Sequence, residues 1–203
     1  MSDQAIVSDR EQKILGIIAT ARGKRAKFRD ARITMAHGAG GKATQSLIEG
    51  LFVPALGGEE LARMADAGTV QVGGVELALT TDSYVVKPLT FPGGSIGELA
   101  VNGTVNDLAV SGARPLALSV SLVLEEGLPA DELRAEVEAM ARAASDAGVQ
   151  IVAGDTKVVE RGHADGMYVC TTGSGLRDPR ASVSPDGLRP GDRILLSGSI
   201  GEH

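Results

Sequence analysis

A domain of mixed strands and helices is what this sequence predicts, on three observations. Two apolar, β-branched runs at 69–72 and 75–81 flank Gly73-Gly74 in the manner of a hairpin. Ser95 precedes a run with helical spacing that stops at Gly112. From Pro115 onward an alternating strand, an amphipathic helix and two further strands follow one another as far as Gly173. At 203 residues the chain has room for one domain with a proper core, or for one domain and part of a second.

Composition narrows the class. Aromatic residues are 2% of the chain, so a core has to be built from Ala, Val, Leu and Ile. The 27 glycines are about twice the usual share and sit at turns, which favours tight loops around ligands over disorder. Net charge is −6, unevenly spread: residues 1–36 hold eight Lys/Arg against four acids, a net of +4, which leaves −10 for the remainder. That acidic body excludes nucleic acid as an expected partner. Cys170 is the single cysteine, so neither an intrachain disulfide nor a CxxC metal site exists. No apolar run approaches the roughly 20 residues of a membrane span and no signal-like segment opens the chain, so no membrane contact and a cytoplasmic setting are the expectation.

Taken in order, residues 1–32 show a short helical pattern at Ile14, Leu15, Ile17 and Ile18, then the basic run RGKRAKFRD. They read as a basic extension. A brief apolar strand at 33–36 leads into His37-Gly38-Ala39-Gly40-Gly41-Lys42, and a helix follows with Leu47, Ile48, Leu51 and Phe52 on one face. A glycine-rich loop feeding a helix start suits an anion, because free backbone N–H groups and the helix dipole both favour negative charge. It is not a Walker A loop, which would need glycine at Ala36 and a hydroxyl at Ala43. A plain turn with Lys42 in solvent is the other reading.

The stretch 80–112 organises the rest. Asp82 ends an apolar run, while Asn106 and Asp107 interrupt a helix that otherwise looks buried, where both residue types have poor propensity. The Pro92-Gly93-Gly94 turn between them lets the chain reverse, so their oxygens can converge on a hard cation such as Mg²⁺. A strand at 115–124, a helix at 129–148 and a strand at 150–154 come next, the last running into Asp155 and Lys157, a second acid at a strand end. The strand at 166–173 holds Cys170, whose apolar and β-branched neighbours favour a buried structural thiol. Pro179, Pro185 and Pro190 mark 178–190 as a linker, and residues 193–197 read as the first strand of a further domain starting at 191. The chain is thus expected to be a truncated piece.

The segments HGAGGK, TTDSYVVKPLTFPGG, GTVNDLAVSGARP, LEEGLP and VAGDTKVVERG, in this order, resemble the hydrogenase-maturation carbamoyl dehydratases, the HypE family. That family is part of an ATP-binding superfamily with aminoimidazole ribonucleotide (AIR) synthetase and selenophosphate synthetase. The likeness runs from residue 33 to 203 and implies an ATP-binding α+β domain over 33–177, with a four-stranded mixed sheet backed by helices that pairs with its copy in a homodimer. It implies ATP-dependent dehydration of a carbamoyl group on a carboxy-terminal cysteine to thiocyanate, a carbamoyltransferase (HypF) as donor, and a HypC–HypD scaffold complex as acceptor of cyanide for the nickel-iron centre. It also implies ATP and Mg²⁺ as cofactors. Gly38, Gly40, Gly41 and Lys42 would cover the nucleotide with Asp82, Asn106, Asp107 and Asp155, of which Asp82, Asp107 and Asp155 would hold the metal. Lys157 would be the catalytic charge partner.

One departure bears on activity. The family's acceptor is a terminal cysteine, whereas this sequence ends in Glu202-His203 and Cys170 lies within a strand, so the polypeptide by itself is expected not to turn over. Two other readings stand beside this one. The first is another ATP-dependent superfamily member, either a small-molecule kinase or a selenophosphate synthetase; the latter is disfavoured because no cysteine lies near His37. The second is a noncatalytic dimerisation or docking module.

Overall fold

The computed structural model describes residues 27–184, 187–196 and 198. The pattern at Ile14 to Ile18, most of the basic extension, and residues 199–203 lie outside the described residues. The chain divides into two compact units, Met1–Met64 and Ala65–His203.

In the first unit the expected strand at 33–36 is absent. Met35–Gly38 is a 3₁₀ turn instead, because Thr34 and His37 cap one another and bend the chain before any strand can form. Helix α1 (Lys42–Leu47) passes into a π turn over Ile48–Phe52 and then α2 (Val53–Leu56), and α3 (Glu59–Arg63) follows a glycine pair. The widening has a cause in Pro54, which has no N–H to give to the carbonyl four residues back. It also breaks the expected single face: Leu47 is buried, while Leu51 and Phe52 are each 43% exposed.

The second unit is built on a sheet. Its strands are β1 (Gly68–Val72), β2 (Val75–Tyr84), β5 (Ala113–Glu125), β6 (Gln150–Val159) and β7 (Met167–Arg177), in the order β1-β2-β7-β5-β6. The sheet therefore has five strands rather than the expected four, because the short hairpin arm β1 joins it. The mixed character does hold: β5 and β6 run parallel and the other neighbours antiparallel. A separate two-stranded ladder, β3 (Thr90–Phe91) with β4 (Gly94–Ser95), forms the turn at Pro92-Gly93. The β1–β2 turn uses positive φ at both Gly73 (56°) and Gly74 (85°), which matches the right-handed twist of the strands it joins.

Helices α4 (Ile96–Val110) and α5 (Ala130–Asp146) both pack against one face of this sheet. Ser95 caps α4 by accepting a hydrogen bond from Glu98 N at 3.4 Å. The core between helices and sheet gathers Ile96, Ala100, Val101, Leu118, Met140, Met167 and Val169. On β7 the burial alternates, with Met167, Val169 and Thr171 turned to the helices. Cys170 consequently points to the other face, where it is half-buried rather than buried as expected.

Buried Glu136 ties the two helices together. It accepts hydrogen bonds from Gly97 N in the first turn of α4 (2.9 Å) and from Thr90 Oγ1 (3.0 Å). Gly97 is needed for this approach, since a Cβ there would lie 2.3 Å from the Glu136 carbonyl oxygen. The segment expected as a linker starts docked, with Asp178 N donating to Gly112 O at 3.0 Å. The expected strand at 193–197 does not form over its described part, where Ile194 and Leu195 are 92% and 89% exposed with no neighbouring strand to pair with.

Candidate functional site

Strand alternation decides which candidate residues meet. Asp82 pairs in register with Thr171 on β7, which pairs with Val120 on β5, which pairs with Gly154 on β6. The next row is Ser83, Cys170, Ser121 and Asp155. Side chains in adjacent rows leave the sheet on opposite faces. Asp82 therefore belongs to the helix face, and Asp155 to the face away from the helices.

On the helix face, Asp82 and Asp107 come together where β2 runs under α4. Thr80 Oγ1 lies 2.8 Å from Asp66 O and 3.1 Å from Asp107 Oδ2, and its one hydrogen is shared between the two. Tyr84 Oη donates to Asp82 Oδ2 at 3.1 Å, and Thr104 Oγ1 is 3.5 Å from the same oxygen. Burial is the main reason the Asp107 carboxyl holds its proton more tightly than an ordinary aspartate; the nearby Asp82 charge adds to this, and the Thr80 bond opposes it. Burial also pushes the Tyr84 phenol up to about 12, with the Asp82 charge contributing. Tyr84 fits because residue 103 is glycine: a Cβ there would sit 2.2 Å from its hydroxyl.

This pair suits a hard cation: two carboxylates, with phosphate and water oxygens to complete the shell. The third proposed ligand is not with them. Asp155 and Lys157 form an exposed ion pair of 2.9 Å on the opposite face, and Lys157 is the first cause holding the Asp155 carboxyl below the usual aspartate range. Three strand spacings of about 4.8 Å also separate β2 from β6, roughly 14 Å across the sheet. One ion cannot take Asp82, Asp107 and Asp155 from a single chain, which corrects the expectation of convergence. Among the described residues no group of three or more His, Cys, Asp or Glu could hold a metal.

Asn106 is exposed on α4 beside Asp107. Gly38, Gly40, Gly41 and Lys42 are exposed in the first unit, with no atom within 4 Å of where a Cβ would stand on any of the three glycines. Thr44 Oγ1 closes that loop by accepting from Gly40 N at 3.0 Å. His37 is buried before it, its Nε2 2.9 Å from Asp30 Oδ2 and its Nδ1 3.0 Å from Thr34 N. Thr80, Tyr84, Thr104 and Glu136 were not singled out from sequence. Thr80 and Tyr84 were within reach, since each is two residues from Asp82 on a strand and so shares its face.

The family described as "AIR synthase related protein, N-terminal domain" matches residues 64–176. The chain is 50% identical over 179 residues to the carbamoyl dehydratase HypE of Azotobacter vinelandii, covering 88% of this chain and 52% of that protein. It is 47% identical over 176 residues to the protein of the same name from Escherichia coli K12, covering 84% and 52%. The chain thus spans about half the length of these relatives. Among solved structures it resembles one described as a HypE–HypF complex (TM-score 0.60, 50% identity, 64% of this chain and 42% of that one). It also resembles HypE in complex with ATP (TM-score 0.50, 48% identity, 72% and 43%).

Proposed function

This chain belongs to the AIR synthase related family, whose N-terminal domain it matches over residues 64–176, and from that premise we propose that it is the nucleotide-binding half of a carbamoyl dehydratase. The observation that carries the reading is identity of about one half to HypE proteins over most of the chain. In the proposed reaction an S-carbamoyl cysteine is dehydrated to a thiocyanate at the expense of ATP, supplying cyanide for a nickel-iron hydrogenase centre. An amide oxygen is a poor leaving group, and phosphorylation makes it a good one. Such transfer depends on positioning and charge neutralisation.

Asp82 and Asp107 would hold magnesium on the phosphates, with Asn106 beside them; magnesium would supply charge neutralisation. The glycine loop of Gly38, Gly40, Gly41 and Lys42 would cover the nucleotide, and Lys157, which within one chain pairs with Asp155 on the sheet face away from Asp82, would meet charge developing on the transferred group from a second chain. The sheet face away from α4 and α5 carries Thr81, Ser83, Ser121, Cys170, Asp155 and Lys157, and we assign it to a homodimer contact. A HypF-type carbamoyltransferase and a HypC–HypD-type scaffold are the proposed partners. No helix among the described residues is long and apolar enough to cross a membrane, and a cytoplasmic setting goes with this reading. Residues 178–190 are proposed as the connection toward a second domain from 191, which would bring the acceptor cysteine. Cys170, fixed in β7, has no such mobility.

Calorimetry with Mg-ATP tests the reading. Wild type is expected to bind, and Asp82→Ala and Asp107→Ala to lose most of the heat. Equal binding by all three would remove the metal role of Asp82 and Asp107, and a wild type that binds no Mg-ATP would leave the docking-module reading in its place.

A further inference from the structure

The hydroxyls around Asp82 have one hydrogen each, and counting them gives the cluster a direction. Buried Thr171 donates its hydrogen to Ala100 O at 3.1 Å. Its oxygen is then the acceptor in the short contact with Thr104 Oγ1, so the Thr104 hydrogen is spent there. Thr104, 3.5 Å from Asp82 Oδ2, has nothing left to give it. The remaining hydroxyl is Tyr84, nearer to Asp82 Oδ2 (3.1 Å) than to Thr104 Oγ1 (3.4 Å).

We propose that Tyr84 is the positioning residue for Asp82: among the hydroxyls of the described residues it alone donates to Oδ2, fixing the carboxylate rotamer and leaving Oδ1 for a divalent cation. One feature of the fold serves this bond: Gly103 leaves the space the phenol occupies. An outer donor of this kind sets ligand orientation, and its loss typically weakens metal binding by about 10- to 100-fold. The inference rests on the metal role proposed for Asp82.

Two measurements on the 203-residue chain separate the two claims. Mn²⁺ binding followed by electron paramagnetic resonance is expected to weaken about tenfold in Tyr84→Phe, while Thr104→Val, which removes a hydroxyl with no hydrogen for Asp82, stays within about twofold of wild type. In the metal-free protein the Asp82 ¹³Cγ resonance is expected to move in Tyr84→Phe and to stay in place in Thr104→Val. Wild-type Mn²⁺ affinity in Tyr84→Phe, or equal resonance shifts in the two variants, overturns this inference alone. A wild-type chain that binds no Mn²⁺ overturns the metal role of Asp82 and this inference with it.

Discussion

Ionised Asp107 lies close to Asp82 and Asp66 in a partly buried strip, and its carboxyl binds a proton more tightly folded than unfolded. The sign follows from linkage: a carboxyl raised in the folded state subtracts from stability above that raised value, and the deficit disappears as pH falls below the ordinary aspartate range. Asp107→Asn keeps an oxygen to accept from Thr80 and drops the charge. It is expected to raise the unfolding free energy measured in urea at pH 7, by at most about 0.5 kcal/mol because the site is largely open to solvent. The gain over wild type should fade at acid pH, and a less stable variant at pH 7 would refute the account. Asp82 and Asp107 were legible from sequence because acids are conspicuous among apolar neighbours. Tyr84 and Thr104 look like ordinary strand and helix residues until the register shows what they face.

At the scale of elements, the hairpin, the Ser95-capped helix and the later helix and strands were all legible, since each carries its own period and its own stop. The expectations that failed were those decided by partners. Residues 33–36 and 193–196 have strand-like composition, but a strand needs a neighbour, and neither segment has one among the described residues. Glu136 shows the converse: on an amphipathic helix it reads as a solvated charge, yet its side chain is buried and holds the start of α4. Replacing it with alanine leaves Gly97 N and Thr90 Oγ1 without their acceptor in the core. The expected loss is about 2–3 kcal/mol in urea unfolding, as for a hydrogen-bonded charge removed from buried partners. A loss under about 0.5 kcal/mol, the level of an ordinary surface substitution, would mean that α4 is held by packing alone.

For the whole molecule, the division of acids between two sheet faces is the feature the sequence could not convey. The family resemblance implied that Asp82, Asp107 and Asp155 gather at one metal, but a single residue of strand register sends Asp155 to the far side. If all three serve one nucleotide, as the family resemblance implies, Asp155 has to come from a second chain. The consequence can be measured by refolding Asp82→Ala and Asp155→Ala chains together. Random pairing makes half the dimers mixed, and a mixed dimer has one site built wholly from wild-type residues and one lacking both acids. Each variant alone should bind no ATP, whereas the mixture should recover about one quarter of the wild-type sites. No recovery, in a mixture shown by native mass spectrometry to contain mixed dimers, would mean that Asp155 does not share a nucleotide with Asp82 across chains; the ion pair with Lys157 would then belong to the surface of the dimer.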